Sequence, residues 1–94
     1  MYKDLDPLLH SQLRLAIISL VVSEGKVDFK RIKEVTQATG GNISVQIKKL
    51  QEAKYMEMEK TFVNNYPNTS IKITTQGLFA FEKYIEALKG YINP

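Results

Sequence analysis

Apolar residues recur along this chain first at helical and then at alternating spacing, and the changes of period mark its elements. In the first apolar stretch Leu9, Leu13, Ala16, Ile17 and Leu20 form one helical stripe, while Leu8, Leu15, Ile18 and Val22 form a second on another face. Asp6 as N-cap, Pro7 at the first helical position and Gly25 as C-cap predict a helix over 6–24. Lys26-Val27 has room only for a minimal strand. Asp28 then caps a second helix, with Phe29, Ile32 and Val35 on its buried side. A tight connection over Thr36 to Thr39 leads to a third helix, 42–54, capped by Thr39, whose Ile43, Ile47 and Leu50 form one core-facing stripe. After Tyr55 the period drops to two. Met56, Met58 and Phe62 line one face of a strand, and Ile71 and Ile73 line another over Ser70 to Thr74. Between them Val63 to Thr69 reads as a loop rich in turn-forming Asn and Pro. Thr74 caps a last helix, 75–92, in which Leu78, Phe81, Tyr84, Ile85, Leu88, Tyr91 and Ile92, with Ala80 and Ala87, cover about half of the circumference, wider than one core seam.

A short helix, a turn and a longer polar-faced helix form a helix-turn-helix, and a two-stranded hairpin after it completes the winged helix arrangement. The predicted fold class is therefore α+β, mainly α: three helices, a two-stranded β-hairpin wing and a long C-terminal helix. At 94 residues the chain is one domain, 1–94. A chain of that size buries only about 60–65% of its unfolded surface, so a partner surface would help it. The first and last helices each carry apolar residues beyond one stripe. That surplus predicts a twofold homodimer joined by helices 6–24 and 75–92, through Leu8, Leu15, Ile18, Val22, Ala80, Tyr84, Ala87, Leu88 and Tyr91.

Composition narrows the chemistry. With 44% hydrophobic and 24% charged residues the chain is globular and not a disordered tail. It has no cysteine, which excludes disulfides, thiolate zinc sites and cysteine nucleophiles. The apolar run Leu15 to Val22 is too short to cross a bilayer. Asp4 and Asp6 near the start do not fit a signal peptide, so the expected compartment is cytoplasmic, with no membrane partner. His10, the one histidine, lies on the first helix and reads as structural. Glu57 and Glu59 stand two apart on a strand and read as solvent-face partners for Lys72. With no phosphate loop, metal cluster or nucleophile constellation, neither an enzyme nor a cofactor is expected.

Charge points elsewhere. The net charge is +3, yet residues 26–49 hold Lys26, Lys30, Arg31, Lys33, Lys48 and Lys49 against Asp28 and Glu34, a local +4, so the rest sums to −1. Such a patch on successive helices is the footprint of a polyanion binder. The third helix turns Asn42, Ser44, Val45, Gln46, Lys48 and Lys49 outward, a mixture suited to the major groove. Thr39 and Gly41 stand at its positive end, where bare backbone N–H groups can meet a phosphate. By chemistry, Gln46 would read adenine through a bidentate amide, Val45 a thymine methyl, and Ser44 a base or phosphate. Lys48 and Lys49 would clamp phosphates, with Lys30 and Arg31 beside the backbone. Asn42 has a rival use in ordering the helix start.

Several motifs, in order over nearly the whole chain, resemble one family: the small, stand-alone winged helix DNA-binding domains of MarR-like transcriptional regulators. The matching pieces are Leu5-Asp6-Pro7-Leu8-Leu9-His10 with Arg14-Leu15, Gly41-Asn42-Ile43-Ser44, Leu50-Gln51-Glu52-Ala53-Lys54-Tyr55, and Ile73-Thr74-Thr75-Gln76-Gly77. The resemblance implies a dimeric, sequence-specific regulator of double-stranded DNA that inserts helix 42–54 into the major groove and reaches the flanking backbone or minor groove with its wing. Two features depart from the pattern. Gly40 stands where the family usually has an acid, and the wing carries Asn64, Asn65, Tyr66 and Asn68 where Arg or Lys is common. Asn65 is the wing residue expected at DNA, and the wing lacks the cations that phosphates attract. A small effector could lie between subunits, though plain dimer packing is simpler. The rival to DNA binding is a winged helix used for protein–protein contact, since the fold hosts both.

Overall fold

Asp6 and Pro7 open a single helical turn, not the first long helix. In the computed structural model, which describes residues 2–94 and leaves Met1 of the expected 1–94 domain outside, Asp6 Oδ1 accepts from the Leu8 N–H at 2.9 Å. Ser11 is then fully extended, and α1 runs only over Gln12–Glu24. The predicted start at residue 6 fails because Asp6 has a tertiary task. Its other oxygen accepts a 2.6 Å hydrogen bond from the Tyr55 hydroxyl. Gly25 ends α1 at φ 83°, in the left-handed region open to glycine, with its N–H on the Val21 carbonyl.

Lys26–Asp28 is a true strand, β1, and it adds a third strand to the expected hairpin. It pairs antiparallel with β3 (Tyr66–Ile73), which also pairs with β2 (Met56–Val63), giving the order β1-β3-β2. The predicted seven-residue loop is two residues long. Asn64 and Asn65 adopt φ 52° and 67°, the two positive values of a type I′ turn, so the strands continue to Val63 and resume at Tyr66. Pro67 lies within β3 opposite Phe62. On the solvent side Glu57 stands opposite Lys72, whereas Glu59 pairs with Lys26 at 3.2 Å instead.

Between β1 and β2 lie α2 (Phe29–Thr36) and α3 (Gly40–Glu52). Asp28 caps α2 by accepting from the Arg31 N–H, and Thr39 caps α3 by accepting from the Asn42 N–H. Gln37, at φ 60°, makes the left-handed turn between them. Thr74 caps α4 (Thr75–Ile92) through the Gly77 N–H.

Leu9, Ile17, Ile18, Val21, Val27, Ile32, Ile43, Ile47, Leu50, Met56, Ile71 and Tyr84 form one core under the helix-turn-helix and the base of the sheet. Three expected core positions lie outside it: Val35 is 48% exposed, Met58 40% and Phe62 77%. The sheet is covered only at its base, so beyond Met56 the alternation in β2 faces solvent on both sides.

Candidate nucleic-acid interface

Three buried side chains, Ile43, Ile47 and Leu50, fix the rotation of α3 about its axis. Gly41, Asn42, Ser44, Val45, Lys48 and Lys49 are thereby left exposed, and no acid stands among them. The helix begins at Gly40 and ends at Glu52, two residues earlier at each end than predicted, because Thr39 caps it directly and Lys54 turns left-handed at φ 65°. Gly40 faces the Phe29 ring at van der Waals distance, while Gly41 faces open space. Thr39 spends its side chain on the cap, so its contribution to any ligand is the helix end that it orders.

Gln46 is half-buried and not free. Its Oε1 accepts from Arg14 Nη1 at 2.6 Å, and its Nε2 donates to Asn42 Oδ1 at 2.8 Å. The outward amide expected to read adenine is thus tied into the protein on both sides. No motif or charge pattern of the sequence gives Arg14 a role. A guanidinium between the apolar stripes of the first helix was the available signal, since a cation there must find partners.

The basic patch is smaller than the residue count implies. Arg31 makes an ion pair with Glu24 at 3.1 Å, and Lys26 one with Glu59 at 3.2 Å. Hydrogen bonding to Glu24, with that carboxylate's charge, raises the Arg31 pKa further above its ordinary value. Both acids lie outside the window 26–49, which hid the pairing. Lys30, Lys33, Lys48 and Lys49 make no ion pair among the described residues. They are the cations still available to a polyanion.

The wing presents apolar surface. Phe62 is 77% exposed, Tyr66 75% and Val63 52%. Asn65 holds the turn whatever it touches, because Asn tolerates its positive φ.

Of the residues placed at a subunit interface, Ile18, Tyr84 and Ala87 are buried within the single chain. The Tyr84 hydroxyl lies 3.0 Å from His10 Nδ1, which gives both residues a structural task. Leu8, Leu15, Val22, Ala80 and Leu88 are half-buried. Tyr91 is exposed, with its hydroxyl donating to the Lys3 carbonyl. Leu78, Phe81, Ile85, Leu88 and Ile92, spaced alternately three and four residues apart, form another seam of α4, in which Phe81, Ile85 and Leu88 are half-buried against the core. Its two ends, Leu78 and Ile92, are exposed. The described residues include no helix long and apolar enough to cross a membrane.

Known proteins share this arrangement. An uncharacterized protein of Methanocaldococcus jannaschii is 34% identical over 76 residues, 81% of this chain and 83% of that protein. A transcriptional regulator homologue from Pyrococcus horikoshii OT3 superposes with a TM-score of 0.85 at 26% identity, over 92% of this chain and 85% of that one. A mutant MarR from E. coli, solved in complex with operator DNA, matches in fold with a TM-score of 0.71 at 16% identity, over 87% of this chain and 58% of the other. The profile of the winged helix DNA-binding domain family matches residues 13–92, from the first turn of α1 to the last residue of α4. By that match and that fold, the chain belongs to the winged helix DNA-binding domain family, with the architecture of the MarR-like regulators.

Proposed function

We propose that this protein is a transcriptional regulator that binds double-stranded DNA sequence-specifically as a twofold homodimer, with α3 in the major groove. The observation that carries the reading is the outer face of α3. From Gly41 to Lys49 it offers amide, hydroxyl, methyl and ammonium groups without an acid, and α2 adds the exposed Lys30 and Lys33. Major-groove edges present complementary donors, acceptors and methyls, and phosphates supply the charge for Lys48 and Lys49. Family membership and the operator complex of a MarR with this fold support the same reading.

Dimerisation would use the α4 seam from Leu78 to Ile92, whose alternating spacing suits packing against a second copy of itself. Two copies would present two α3 helices to half-sites about one DNA turn, 34–36 Å, apart. The operator should accordingly be palindromic. The cytoplasm is the compartment in which such a regulator would work.

One observation favours protein–protein contact instead, namely the uncharged wing with Phe62 and Tyr66 exposed. Selection from random duplex DNA separates the two. Recovery of a palindromic site supports the regulator, and failure to enrich any duplex at low salt leaves the protein-contact reading.

A further inference from the structure

We propose that Arg14, which lies on α1 and outside the reading helix, sets the base preference of α3 by fixing the side-chain amide of Gln46. The inference rests on α3 entering the major groove, and it adds which base edge the helix would read. A guanidinium carries donors and no acceptor, so the oxygen of the Gln46 amide must be the atom facing it. Arg14 Nη1 donates to that oxygen at 2.6 Å. Arg14 is itself braced, since its Nε donates to the Leu8 carbonyl at 2.6 Å, in the turn that Asp6 caps. On its other side Gln46 donates through Nε2 to Asn42 Oδ1 at 2.8 Å. Hydrogen bonds thus run from Leu8 through Arg14 and Gln46 to Asn42, joining the N-terminal turn to the first turn of α3.

Each side-chain oxygen along this path already accepts a hydrogen bond. Gln46 Oε1 keeps a second lone pair but is held towards Arg14, so the Gln46 amide has its second N–H left for the groove, beside the NH2 of Asn42. Bidentate recognition of adenine needs an amide oxygen for the N6 amino group beside an N–H for N7. With Oε1 turned to Arg14, only the donor half is presented. Donors alone match guanine, whose major-groove edge offers N7 and O6 as two acceptors. The base facing Gln46 is therefore guanine, and Arg14 is the positioning residue for that choice.

Two measurements test this. In the free protein, the 15N-labelled side-chain amide of Gln46 should show slowed exchange and dispersed shifts in wild type. Arg14→Ala should collapse both to free-amide values while the backbone shifts of α3 stay in place. On a duplex obtained by selection, wild type should favour guanine over adenine at one position by about ten- to a hundredfold. Arg14→Ala should erase that preference at that position alone, and Arg14→Lys, which keeps one donor, should retain part of it. An Arg14→Ala variant that weakens all sequences equally and flattens the salt dependence would overturn the proposal, because Arg14 would then be a phosphate contact. Wild type that binds no duplex removes the DNA reading and the base preference with it, and the amide signature tells that failure from a broken tether.

Discussion

At Gly77 the available space admits only a hydrogen atom. A β carbon there would collide with the Tyr55 carbonyl, which also receives the Thr74 N–H, and would crowd Ile73. Gly77→Ala should therefore destabilise the fold by about 1–3 kcal/mol through overpacking, although alanine is the better helix former. Gly41 faces open space, and Gly41→Ala should raise stability by about 0.4–1 kcal/mol. Urea unfolding of the two variants checks both signs, and a loss at Gly41 as large as that at Gly77 would contradict the packing account. Lys48 and Lys49 are exposed and unpaired among the described residues, so replacing both with alanine should leave stability within about 0.5 kcal/mol. Binding to every duplex should nevertheless weaken. At this scale the sequence exposed the three helix caps, because Thr39, Asp28 and Thr74 each act on the backbone N–H three residues on. It hid the Arg14–Gln46 bond and the Arg31–Glu24 pair, whose partners are fixed by how helices pack or by where a neighbouring helix ends.

Among the elements, helix-turn-helix and strands were legible wherever an apolar period met a core. Boundaries were misread where another interaction took over. Asp6-Pro7 has the chemistry of a helix start, but Tyr55 holds Asp6 and the chain turns away before Ser11. Asn-Asn has the chemistry of a loop, but its positive φ values make the tightest hairpin connection, and the loop expected around it is strand. The Tyr55–Asp6 bond also has a pH signature. Burial, then the hydrogen bond to Asp6 and its charge, push the Tyr55 pKa from 10.0 up to about 12. The folded state thus keeps a proton that the unfolded chain releases above its ordinary value. This contribution is whole below pH 10 and is lost as pH rises towards about 12. Chemical denaturation at stepped pH should show Tyr55→Phe less stable than wild type near neutrality. The gap should narrow through that alkaline window, and a constant gap would show that Tyr55 ionises as freely when folded as when unfolded.

Seen whole, the molecule measures 52 × 26 × 21 Å with a radius of gyration of 14.1 Å, larger than the roughly 12 Å of a compact domain of this length. Its 18-residue α4 has an inner side that buries Tyr84 and Ala87 and a half-buried seam with exposed ends at Leu78 and Ile92. The apolar breadth of α4 in the sequence predicted a second partner for it. It did not show which stripe the chain keeps for itself, since Tyr84 and Leu88 are equally plausible core residues until the helix is docked. Leu78→Glu with Ile92→Glu should give a folded monomer by sedimentation, with specific duplex affinity largely lost. Tyr84→Glu should instead unfold the chain, because it places a charge in the core beside His10. Wild type sedimenting as a monomer at micromolar concentration would refute the twofold arrangement.

The central claim is that the outer face of α3 meets DNA, and the salt dependence of duplex affinity tests it most directly. For wild type on its selected site, log affinity should fall linearly with log salt. Lys48→Ala with Lys49→Ala should reduce that slope by about 1.8, or about 0.9 for each phosphate contact removed. Wild type without measurable duplex affinity at low salt, or a slope untouched by the double substitution, would contradict the account.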